Sequence, residues 1–147
     1  MEVYEKTMQR HSGLGTRPRI NGIQAMIRGT CTEGATYLML SRRVPSREAA
    51  ILQRMSREKQ NHGTCLKGIY TLTTGEYPVV EVAPMPMQPV EEILRSCYGN
   101  EMRILAEYER RIGDPEYGPV FLRLAQQERE HCRQLLELIG RLQKIQG

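Results

Sequence analysis

At 147 residues the chain is one domain's worth, with 39% apolar residues, seven Tyr, one Phe and no Trp. That is enough to build a core without a disulfide or metal staple, and too few aromatic and β-branched residues for a typical β-sandwich. Twenty-one basic residues against 17 acidic give a net +4, too mild and too interspersed to mark a nucleic-acid binder. No apolar run is long enough to span a membrane and none follows Met1 as a secretory leader would, so a cytoplasmic protein is expected. Cys31, Cys65, Cys97 and Cys132 have no paired spacing, and are expected to stay reduced.

Residues 1–19 are polar, carry Gly13, Gly15 and Pro18, and show no sustained period; they read as an arm preceding a bundle over 20–147. From Ile20 the pattern becomes helical, with Ile23, Met26, Thr30, Glu33, Tyr37 and Leu40 at steps of three and four. Val44-Pro45-Ser46 interrupts it, with Ser46 placed to cap the next helix. The second stripe is Ile51, Met55, Glu58, His62, Cys65, Ile69 and Leu72, ended by Gly75 and Pro78. Residues 73–89 hold Pro78, Pro84, Pro86 and Pro89, too many for helix interior. A third helix begins near Pro89, with Glu91 and Glu92 at the positive end of its dipole. Its stripe is Leu94, Cys97, Glu101, Leu105, Tyr108 and Ile112, broken at Gly113-Asp114-Pro115. The fourth helix opens at Gly118-Pro119 and carries Val120, Leu124, Glu128, His131, Leu135, Leu138 and Leu142.

The pattern predicts an all-α four-helix bundle made of two hairpins. Extended, the connection over 73–89 reaches up to roughly 55 Å, longer than the roughly 33 Å of a 22-residue helix. It is therefore able to run the length of the bundle and set the second and third helices parallel.

What interrupts the apolar stripes is the chemistry. Glu33 and Glu101 lie mid-stripe on the first helix of each hairpin, and His62 and His131 on the second. Glu33 precedes His62 by 29 residues and Glu101 precedes His131 by 30, so each hairpin repeats one arrangement. Buried carboxylates without partners cost several kcal/mol each, and a cation at the bundle axis removes that cost. Carboxylates with two imidazoles suit iron, manganese or zinc rather than calcium or magnesium.

The fourth helix adds Glu128-Arg-Glu-His131, a Glu and a His on one face. With the segments EGATYLMLSRR, MSREKQNHGTCLKGIY and EMRILAEYERR…LAQQEREHCRQLLELI, the chain resembles the ferritin-like superfamily over residues 20–143, and within it the rubrerythrin-type proteins without a rubredoxin module. The resemblance implies a carboxylate-bridged di-iron pair held by one Glu from each of two helices and a Glu-x-x-His from each of the others. Glu33, His62, Glu101, Glu128 and His131 match that set, but three residues before His62 stands Lys59. On a helical wheel centred on His62, Glu58 lies at about −40° and Lys59 at about +60°; centred on His131, Gln127 and Glu128 take those places. Either Glu58 supplies the sixth ligand from one position earlier, or Lys59 points inward and its ammonium replaces one metal, leaving a site for one ion or none.

The resemblance further implies peroxide reduction or Fe2+ oxidation, with peroxide or O2 as oxidant, a separate electron-donor protein, and a homodimer. Tyr37 is the tyrosine carried over as a candidate near the metals; a core tyrosine with a satisfied hydroxyl fits the same position. Cys65 and Cys97 fall on site-facing stripes, where small buried hydrophobes are the plainer reading. The alternative function is a ferritin-like bundle with a degenerate site serving as a metal-binding or interaction module.

Overall fold

A computed structural model describes residues 22–146, with side chains through 144. The expected arm over 1–19 lies outside the described residues. Four helices follow in order: α1 (Ile23–Leu40), α2 (Ser46–Thr74), α3 (Val90–Arg110) and α4 (Gly118–Gln146), with no strand among the described residues. No helix among them is long and apolar enough to cross a membrane.

The breaks are where the turn chemistry places them. Gly22 precedes α1 at φ 88° and Gly75 follows α2 at φ 75°, left-handed values that favour glycine. Pro45, not Ser46, is the residue before α2; Ser46 is already helical, and no side chain caps that end. Between α3 and α4, Asp114 Oδ1 accepts from the backbone of Glu116 at 2.9 Å and of Tyr117 at 2.8 Å, an Asx turn that stops one helix and starts the other.

Cross-helix pairs fix the topology. Glu33 on α1 lies beside Cys97 and Asn100 on α3, and Gly29 faces Ile104, so α1 and α3 are antiparallel neighbours. His62 meets Gln127 while Glu58 meets His131, so α2 and α4 are likewise antiparallel. With antiparallel hairpins, α2 and α3 then run parallel, as a single crossover demands. The crossover, 75–89, lies along α1. Gln24 bonds Val79 O, Thr32 Oγ1 accepts from Ala83 N at 3.1 Å, and Arg43 donates to Gln88 O at 3.1 Å.

The apolar core comes in two blocks. One gathers Ile27, Leu66, Tyr108, Phe121 and Leu124. The other gathers Tyr37, Leu40, Leu52, Leu94, Leu135 and Leu138. Between them lies a layer of buried polar side chains: Glu33, Lys59, His62, Glu101, Glu128 and His131. The α1, α3 and α4 stripes are buried nearly as the period predicts. On α2 the buried face is rotated by about one residue, to Leu52, Met55, Ser56, Lys59, His62, Gly63, Leu66 and Ile69, while Ile51, Glu58 and Cys65 are part-exposed and Leu72 is open to solvent. Small residues cause this rotation. Ser56 Oγ donates to Gly34 O at 2.7 Å, and Gly63 lets Cys31 of α1 come close. The tight α1–α2 seam therefore runs through Ser56 and Gly63, and carries Lys59 inward with it.

Candidate metal centre

The −3 positions of the two histidine helices both point to the bundle axis and meet there. Lys59 is wholly buried, and its Nζ lies 2.8 Å from Glu128 Oε1 and 2.8 Å from Glu101 Oε1. The contact with Glu128 has hydrogen-bond geometry, whereas that with Glu101 is a charge contact at the same distance. The −4 positions reach across to the other hairpin's imidazole. Glu58 meets His131 Nε2, and Gln127 Oε1 lies 2.6 Å from His62 Nε2. A pseudo-two-fold thus relates the hairpins, with the acid at −4 on α2 and at −3 on α4.

Both outer contacts turn the imidazoles the same way. Each Nε2 faces an oxygen on its outer side and each Nδ1 faces inward; in the tautomer that donates from Nε2, the Nδ1 lone pair is free for an ion. His62 Nδ1 is 3.1 Å from Glu128 Oε1, and His131 Nδ1 is 3.7 Å from that same oxygen and 3.5 Å from Glu101 Oε2. The rings stack at 5.5 Å between centroids. His62, Glu128 and His131 each bring a ligand atom within 4.8 Å of the others. Donors about 2.1 Å from a tetrahedral ion stand about 3.4 Å apart, and the two observed edges to Glu128 bracket that spacing. Glu128 Oε2 and His131 Nδ1 are buried without hydrogen-bond partners, as donors awaiting an ion would be. The three side chains form a candidate site for a single metal ion, with Lys59 Nζ held on the Glu128 oxygen that both imidazoles face.

The electrostatics point the same way. Glu33, Glu101 and Glu128 are buried against one ammonium, so with neutral imidazoles the layer holds two uncompensated negative charges. One divalent ion balances it. Without an ion, the layer holds protons instead. Burial pushes Glu33 above the ordinary carboxylate range, against the pull of Lys59. Burial likewise carries Glu101 to about 8, again against Lys59. Burial works against a charge on His131, but the Glu101 and Glu128 carboxylates outweigh it and raise the imidazole to about 10. Burial also disfavours ionised Glu128, yet Lys59 and hydrogen bonds from its neighbours hold it well below the usual range. For Lys59 the same burial is outweighed by Glu101 and Glu128, so the ammonium stays charged.

The structure sorts the sequence candidates. Lys59, His62, Glu101, Glu128 and His131 come together at the axis. Glu58 stands on the outer side of His131, with its side chain 39% exposed, and acts on the centre through that imidazole. Glu33 lies to one side with Tyr37, Asn100 and Cys97, and its Oε2 has no hydrogen-bond partner. Tyr37 is wholly buried beside Glu33, and burial with the nearby carboxylates pushes its hydroxyl well above the usual phenol range. Burial and Glu33 also push the Cys97 thiol up, so it packs there as a thiol. Cys65 is half-buried, and none of the four cysteines is in a disulfide. Gln127, which the helical wheel sets in the place that Glu58 takes on α2, was not among the candidate site residues, yet it holds the outer side of His62.

No family model matches the chain, and no curated sequence matches it either. Among solved structures it is similar to Chlorobium tepidum ferritin, with a TM-score of 0.68 over 87% of this chain and 86% of that one, at 17% identity. The fold is ferritin-like. At that identity the likeness speaks for the backbone path of the ferritin-like bundle. The donor set rests on the distances above.

Proposed function

We propose that this ferritin-like bundle is a metal-binding protein holding one divalent transition ion on His62, Glu128 and His131, with the Lys59 ammonium doing the electrostatic work of a second ion. The observation that carries this reading is Lys59 Nζ, buried and 2.8 Å from both Glu101 and Glu128. Iron is the ion we assign, from imidazole and carboxylate donors in a ferritin-like fold; manganese and zinc accept the same donors. When bound, the ion supplies Lewis acidity or one-electron chemistry. The protein's part is to present two inward Nδ1 lone pairs and one carboxylate, and to keep Glu101 ion-paired beside them.

The rubrerythrin-type reading, peroxide reduction or Fe2+ oxidation at two irons, asks more of the site. Reducing an O–O bond takes two electrons, and two ferrous ions supply one each. For a second ion, Lys59 must leave its two carboxylates and Glu58 must turn away from the outer side of His131. The electrons and the partner subunit of that reading would then come from a separate donor protein and a homodimer.

Metal content decides between them. Protein loaded anaerobically with Fe2+ is expected to hold one ion per chain, and Lys59→Glu to hold two. Two ions in the wild type, with turnover of peroxide, would overturn the one-ion reading. Fewer than half an ion per chain would overturn metal binding itself.

A further inference from the structure

A groove of about 1000 Å3 runs between α1 and α3, well away from the α2–α4 side on which Glu58 and Gln127 stand. It exists because the facing residues are small: Ala25, Gly29 and Thr32 on α1 oppose Asn100 and Ala106 on α3. It spans Gly22 to Glu33, about 16 Å of helix. Four of its lining residues are arginines, against Glu107 on the rim and Glu33 at the inner end. Glu107 is shared by Arg110 and Arg111, while Arg28 and Arg103 are exposed along the rim. The floor between is apolar, with Met26 and Ile104 almost wholly buried. At the inner end Glu33 is 3% exposed and its Oε2 lacks a hydrogen-bond partner, a buried acceptor that costs free energy until a donor reaches it.

We propose that this groove binds an organic anion with an apolar body and a hydroxyl or amine at its far end. The acid group meets the arginines of the rim, the body lies over Met26, Gly29 and Ile104, and the far group donates to Glu33. The size falls within the range of small-molecule pockets, and the charge complement selects an acid over a cation. The groove shares with the centre only Glu33, one of the buried charges that the ion balances and none of its three assigned ligands.

The test is calorimetric titration of the full chain with ω-hydroxydecanoate, decanoate and decyltrimethylammonium. Saturable one-to-one binding is expected for ω-hydroxydecanoate, weaker binding for decanoate and none for the cation. Arg103→Glu should weaken binding by at least about tenfold, the scale of one charged hydrogen bond. Gly29→Leu should fill the groove; a Cβ at Gly29 would meet nothing nearer than Ile104 Cδ1 at 3.8 Å, an ordinary contact. Metal content per chain should be unchanged in both variants, which separates failure of the groove from failure of the centre. No binding by any probe, equal binding of the cation, or affinity unchanged in both variants would overturn the proposal. Equal affinity for decanoate and ω-hydroxydecanoate would overturn the role of Glu33.

Discussion

Lys59→Met removes the ammonium while keeping most of the side chain's volume, so it isolates charge from packing. At an effective dielectric near 20, the 2.8 Å contact with ionised Glu128 is a gross attraction of about 6 kcal/mol, and Glu101 adds a like amount only where it is ionised, above about pH 8. Most of that is consumed by taking the charged groups out of water. The net loss on breaking a buried pair is about 3–5 kcal/mol, because the remaining carboxylates are left uncompensated. For a domain of this size that is a fall in melting temperature of roughly 6–20 °C. The assay is denaturant unfolding of metal-free protein, followed by the same experiment with Fe2+ or Zn2+ added. An ion at about 100 times its dissociation constant restores about 2.7 kcal/mol, so the variant should gain more from metal than the wild type does. Adding Glu101→Gln to Lys59→Met should recover part of the loss. If metal-free Lys59→Met were within about 1 kcal/mol of wild type, the carboxylates would not depend on Lys59, and the one-ion reading would lose its foundation.

The metal-free protein should lose stability as pH rises. His131 is raised from 6.5 to about 10 and Glu101 from 4.5 to about 8, so the folded state binds more protons than the unfolded chain across this window. Stability gained that way is complete below the unfolded values and disappears as pH passes the folded ones; melting temperature measured from pH 5 to 10 should fall, and a rise would refute the proton-filled layer. Glu58→Gln and Gln127→Ala act on the ligands only through the imidazoles they orient, and each should weaken metal affinity by about 10–100-fold in competition with a chromogenic chelator. Unchanged affinity would show that Nδ1 is not the liganding atom. Ser56→Ala, which deletes the 2.7 Å bond to Gly34 O, should cost about 1 kcal/mol in denaturant unfolding, and no cost would mean that the α1–α2 seam is held by packing alone.

Much of this was legible in the chain. The four helices, their breaks at Gly75 and Asp114, the crossover and the inward Glu33, Glu101, Glu128, His62 and His131 all follow from apolar period and turn residues. The rotation of α2 does not. A stripe drawn through Ile51, Glu58 and Cys65 follows hydrophobicity, whereas the real seam follows small size at Ser56 and Gly63. The helical wheel leaves open whether Lys59 or Glu58 turns inward, since a lysine's burial is tolerable only where carboxylates from other helices surround it. Those carboxylates are 42 and 69 residues away in sequence, and only the fold brings them near. The roles of Glu58 and Gln127 were hidden for the same reason, each serving the histidine of the other hairpin.

The crossover that lies along α1 has a consequence for how the chain assembles. Each hairpin is a local unit, able to close through neighbours in sequence. The polar layer is different: Lys59 and Glu128 are 69 residues apart, and Glu58 and His131 are 73. Contacts of such separation form late, because loop closure must precede them. The layer must also dehydrate three carboxylates at the moment the hairpins dock. Docking is thus the step at which charge, water and long-range order change together, and each hairpin alone carries only part of the donor set. On the one-ion reading proposed above, a cation arriving then would act as a latch between two half-proteins.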